Sequence, residues 1–137
     1  MQILKEKSRA KSQITFDEDF NVPDAKPDAG RLIQNKGRII MDDVRLTDGK
    51  GILTGNLQVD ILYVGEERGI VSSLTAKLPF EETLNLKNII NGDKMCLKWE
   101  IEDLTIRLIH SRKLNIKALV TFCATVDETE QDRKSVV

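Results

Sequence analysis

Two stretches of period-two alternation constrain this chain more than anything else in it. Between positions 53 and 63, Leu53, Leu57, Val59, Ile61 and Tyr63 fall on one parity, and Thr54, Asn56, Gln58 and Asp60 on the other. Near the other end, Leu114, Ile116, Ala118, Val120, Phe122, Ala124 and Val126 alternate with Asn115, Lys117, Thr121 and Thr125. Successive side chains of a strand point to opposite faces, so each stretch reads as a strand with one face in a core. A helix would scatter the same apolar positions around its axis.

Weaker versions of the pattern fill the rest. Ile70, Leu74, Ala76, Leu78 and Phe80 share a face opposite Ser73, Thr75 and Lys77, and Pro79 marks an edge strand or its exit. Met95, Leu97, Trp99 and Ile101 open a further strand, after which the apolar parity switches to Leu104, Ile106 and Leu108. A one-residue phase shift of that kind is what a β-bulge produces. Residues 38–46 are apolar enough for a strand of unclear phase, and Ile14, Phe16 and Phe20 alternate with polar partners in another. Asp48-Gly49, Gly65 to Gly69 and His110 to Lys113 read as hairpin turns.

Short loops between consecutive strands force antiparallel neighbours, because a parallel return needs a long crossover. The expected fold is all-β: an antiparallel β-sandwich, or partly open barrel, of about five to seven strands. At most one short helix is expected, with a helical turn at 29–34 and another short-helix position within 85–93. The domain is expected to span 12–127, between a flexible arm at 1–11 and a disordered tail at 128–137. Leu57, Val59, Ile61, Trp99, Ile101, Ile116, Val120 and Phe122 are the expected core.

Composition narrows the function classes. A net charge of −1, with dispersed basic residues, lacks the concentrated positive face of a nucleic-acid binder or a charge-driven membrane binder. No apolar run is long enough for a membrane span or signal peptide. The two cysteines, Cys96 and Cys123, are distant in sequence and lack metal-ligand spacing, which fits free thiols in a cytoplasmic protein.

Catalytic apparatus is not legible. The one histidine, His110, sits beside Ser111 in a turn, with nothing to complete a triad, and no phosphate-binding glycine pattern occurs. Asp17, Glu18 and Asp19, with Asp24 and Asp28, match no calcium-loop spacing and read as a solvated face. Trp99 and Tyr63 would suit sugar stacking if exposed, but both lie on apolar parities. The chain therefore reads as a non-enzyme with no cofactor and no metal.

One segment is neither strand nor slack linker. Asn21 to Gly30 carries a Pro-Asp repeat, and Pro23 and Pro27 each fix φ and remove an amide donor. Such a segment is preorganised, which lowers the entropy lost on docking a partner. Pro23, Asp24, Lys26, Pro27 and Asp28 thus form the candidate interaction loop. The competing reading is a crossing between sheets, with Asp24 and Asp28 capping turns or a short helix.

The run Phe20 to Asp28, with Gly30-Arg31 and Lys36-Gly37 after it, resembles the opening of the SPOCS domain of spore-forming Firmicutes. So do Leu57 to Val64, Leu78-Pro79-Phe80, Trp99 to Asp103, and Ser111 to Lys113. The resemblance covers residues 12–126. It implies a non-catalytic interaction module of spore-coat assembly, like the N-terminal domains of coat morphogenetic proteins that end in LysM. It further implies an ATP-hydrolysing coat scaffold, or other coat proteins, as partner, at the forespore surface in the mother-cell cytoplasm. With no LysM module in these residues, the chain is expected to be an N-terminal part of a longer protein. The alternative is a carbohydrate-binding module of a cell-envelope protein. Sheet edges left free also make an edge-strand dimer a natural expectation.

Overall fold

The structure, a computed structural model, describes residues 6–47, 49–67, 69–86 and 94–127. Its strands are β1 (Glu6–Asn21), β2 (Ala29–Thr47), β3 (Lys50–Gly65), β4 (Val71–Asn85), β5 (Lys94–His110) and β6 (Lys113–Asp127). They form two three-stranded antiparallel sheets, ordered β1-β6-β5 and β2-β3-β4. The sheets face each other as an open sandwich, with β1 over β4 and β2 over β5.

The two stretches of clearest alternation are the central strands. β3 alternates buried and half-buried residues from Gly51 to Gly65, and β6 does so along most of its length. Both flanks of a central strand are hydrogen-bonded, so its inward face meets the opposite sheet along most of its length. That is why the pattern is cleanest there. Aromatic packing ties the layers together: Phe80 sits edge-to-face with Phe16 at 6.1 Å and tilted against Phe122 at 5.3 Å. Leu, Ile, Val and Ala make up most of the remaining core.

Turns and one phase shift fall where expected. Gly49 and Gly69 take positive φ, 75° and 59°, in the two hairpins of the β2-β3-β4 sheet. The β5–β6 register slips between Ile101 and Asp103, and again between Leu108 and His110. Pro79 lies on β4, an edge strand, where its missing amide breaks no ladder.

Several expectations need correction. Residues 6–11 of the expected arm belong to β1, which starts at Glu6 and runs antiparallel to β6, with Arg9 opposite Thr125 and Lys11 opposite Cys123; residues 1–5 lie outside the described residues. The outer face of a strand is as solvated as a free arm, so composition alone did not separate the two. The helical turn expected at 29–34 is the start of β2. β2 slips register three times against β3, after Ala29, Leu32 and Met41, which is why its phase was illegible. Near the last slip, a Cβ on Gly55 would collide with the Ile40 carbonyl, so only glycine fits. Trp99 is 42% exposed and Ile101 half-buried, although both keep inward parity. Ile70, in the β3–β4 turn, is exposed rather than on the core face. The expected tail at 128–137 and most of the 85–93 connection lie outside the described residues.

Candidate functional site

The candidate loop joins β1 to β2, and therefore passes from one sheet to the other. Buried Val22 and Ala29 anchor its two ends. The Val22 amide donates to the Arg112 carbonyl at 2.8 Å, and the Ala29 amide to the Ser111 carbonyl at 2.8 Å. Between the anchors, the Lys26 amide closes a turn onto the Pro23 carbonyl at 2.9 Å. The Tyr63 hydroxyl donates to the Pro27 carbonyl at 2.8 Å, and the Glu66 amide to the Asp28 carbonyl at 2.9 Å.

Arg112, in the β5–β6 turn, holds this arrangement together. Its Nη1 donates to the Lys26 carbonyl at 2.7 Å and to Asp28 Oδ1 at 3.0 Å. Its Nη2 donates to the carbonyls of Pro23 at 2.8 Å and Val22 at 3.2 Å. A loop with two prolines cannot satisfy its inward carbonyls by a strand ladder, and a planar guanidinium supplies several donors in one fork. Lysine would deliver its charge as a point and reach fewer of these oxygens.

The five candidate residues therefore divide. Asp28 is held by Arg112, and Lys26 is half-buried with its backbone engaged. Pro23, Asp24 and Pro27 face solvent; the Asp24 side chain is fully exposed, 4.0 Å from the guanidinium. No cap on a helix forms, since β2 follows directly. The backbone is fixed from behind while Asp24 and the proline rings project outward.

Sequence reasoning missed Arg112 as the centre of the loop. A single arginine in a turn has no periodicity, and its contact with Lys26 spans 86 residues. The hydroxyl of Tyr63 is a second unforeseen anchor; burial raises its pKa above the ordinary phenol value, partly offset by the nearby Arg112 charge. Its partner in the imagined aromatic platform, Trp99, is exposed while Tyr63 is fully buried, so no exposed pair exists.

The acidic run on β1 is stitched to the neighbouring strand. Asn115 Nδ2 donates to Asp17 Oδ1 at 2.9 Å and to Asp19 Oδ1 at 3.0 Å, and Lys113 Nζ lies 3.5 Å from Asp19. The Asn115 hydrogen bond, with help from Lys113, holds Asp19 below the usual carboxylate range. No group of three or more potential metal ligands gathers among the described residues. His110 accepts the Arg112 amide at Nδ1, 3.1 Å, and so shapes the turn that carries the clamp. Cys96 is exposed and Cys123 half-buried, both as free thiols. No helix of the described residues is long and apolar enough to cross a membrane.

An antiparallel two-sheet sandwich with a clamped crossover loop is thus the structural class. Within it, the family described as SipL, SPOCS domain, matches residues 28–109, more than half of the chain, and the protein belongs to that family. Membership points to a sporulation-related interaction role. No curated protein and no solved structure matches the chain. The matched span starts at Asp28, runs through β2 to β5, and ends before Arg112.

Proposed function

We propose that this domain is a non-catalytic docking module of spore-coat assembly, binding another coat morphogenetic protein at the forespore surface in the mother-cell cytoplasm. Membership of the SPOCS family carries this reading. The ATP-hydrolysing coat scaffold is the first partner to test, and a LysM module elsewhere in the full-length protein would be consistent with it. The candidate contact is the clamped loop, because its backbone is ordered before any partner arrives. Docking would then cost little further chain entropy.

The test uses the purified domain and the purified coat scaffold in a direct binding assay. Asp24→Ala removes a fully exposed charge at 4.0 Å from Arg112, a pairing worth little in water, and should leave the melting curve almost unchanged while weakening binding by about tenfold or more. Binding that ignores Asp24 and Pro27 substitutions would move the contact off this loop. A correctly folded domain that binds no coat protein would remove the proposal itself.

A further inference from the structure

The four edge strands are not equally protected against pairing with another chain. β2 is interrupted by three register slips, β4 contains Pro79, and β1 carries the acidic run Asp17-Glu18-Asp19. β5 has neither a slip nor a proline over Met95 to Ile101, where its register with β6 is continuous, and its charges there, Lys98 and Glu100, are of opposite sign rather than a run of one sign.

The direction of its free amides can be read from the ladder. Hydrogen-bonded and non-hydrogen-bonded pairs alternate in an antiparallel sheet. The bond from the Val22 amide to the Arg112 carbonyl continues the β1–β6 register, so even-numbered residues of β6 turn their amide groups toward β1. Trp99 stands opposite Phe122, and Leu97 opposite Ala124, so these are non-hydrogen-bonded pairs. Met95, Leu97, Trp99 and Ile101 accordingly direct their N–H and C=O groups outward, to the free edge.

We propose that this edge pairs with the same edge of a second copy of the chain, antiparallel and centred on Trp99. Leu97 then pairs with Ile101 of the other copy, Lys98 with its Glu100, and Trp99 with its counterpart across a two-fold axis. The arrangement is isologous: one patch complements itself. Charge complementarity selects this occupant, because the sequence Lys98-Trp99-Glu100, reversed about its centre, sets opposite charges against each other twice. Both charged residues are exposed, and neither is in an ion pair among the described residues. The 42% exposure of inward-parity Trp99 supplies the apolar centre. The proposal is independent of the coat-scaffold reading, since it uses the other end of β5 from the clamp.

Sedimentation velocity on the whole chain tests it, with fluorescence as a second readout, because Trp99 is the single tryptophan. A monomer–dimer equilibrium is expected, with emission shifting to the blue as concentration rises. Lys98→Glu and Glu100→Lys should each weaken dimerisation by about tenfold, since like charges opposite one another destabilise a sheet pair. Mixing the two variants should restore it as a heterodimer, as should combining both reversals in one chain. Unchanged circular-dichroism melts in dilute solution establish that each variant is folded. A chain that stays monomeric to its solubility limit overturns the proposal. So does dimerisation indifferent to both reversals, or variants that mixing fails to rescue. Blue emission independent of concentration would mean that the chain itself covers Trp99, which also refutes the pairing.

Discussion

The two open sides of the sandwich are built from the same kind of sequence and end differently. Where β1 meets β4, Phe16 and Phe80 pack edge-to-face, and Ser12 donates to Glu82 at 2.7 Å, so the sheets are locked. Where β2 meets β5, Gly37 lies against Leu104 and Ile101, and further along Gly51 of β3 approaches Met95. Between those points Val44 and Trp99 remain about two-fifths exposed on inward parity. Inward parity thus specifies a face but not a cover. One side uses aromatic bulk to close the gap, and the other leaves an apolar seam.

The largest expected effect tests that contrast directly. Phe80→Ala removes the ring joining Phe16 to Phe122 and should cost about 3–5 kcal/mol by urea denaturation. Trp99→Ala, measured where the chain is monomeric, should cost less than about 1.5 kcal/mol despite the larger side chain, because much of it is already in water. Equal costs would break the comparison.

Next comes the crossover that carries the chain from the locked side to the open one. Arg112→Ala strands the carbonyls of Val22, Pro23 and Lys26 and should destabilise by about 2–3 kcal/mol. Arg112→Lys should recover only part of this, because the fork geometry is lost. If Arg112→Ala melts like wild type, the loop is not held from behind and its preorganisation is disproved.

A smaller pair of substitutions compares backbone approaches. Gly55→Ala drives a Cβ into the Ile40 carbonyl and should cost about 1–3 kcal/mol, since backbone must move. Gly37→Ala meets the Leu104 Cδ2 methyl at 2.9 Å, which a side-chain rotation on the open side can relieve, so its cost should be the smaller. The reverse order would show that the open side is packed more rigidly than its exposure suggests.

The smallest effects are pH-dependent. Asp19 has a depressed folded-state pKa, so its contribution is present above the ordinary value of 3.8 and fades as pH falls through the depressed one. Tyr63 is raised above 10.0, so its contribution is complete below that value and fades as pH rises through the raised one. Stability measured against pH should lose part of its acid limb in Asp19→Asn and part of its alkaline limb in Tyr63→Phe. Curves parallel to wild type would assign those limbs to other groups.

What the sequence determined by itself was local. Period-two alternation identified β3 and β6, the faces they bury, and the parity of β4, because side-chain direction follows from backbone geometry within a few residues. Glycines at 49 and 69 and the phase change after Ile101 were legible for the same reason. Only the tertiary structure decided what each face meets. β1 extends back to Glu6 because β6 stands beside it, and β2 absorbs three bulges in following β3. Trp99 stays 42% exposed on an edge strand although its parity is inward. The Pro-Asp loop is ordered by an arginine more than eighty residues away, whose donors match carbonyls that only the fold brings within 3.2 Å. Such long-range partners leave no period in the chain, since they depend on which elements stand opposite and not on the residues next door.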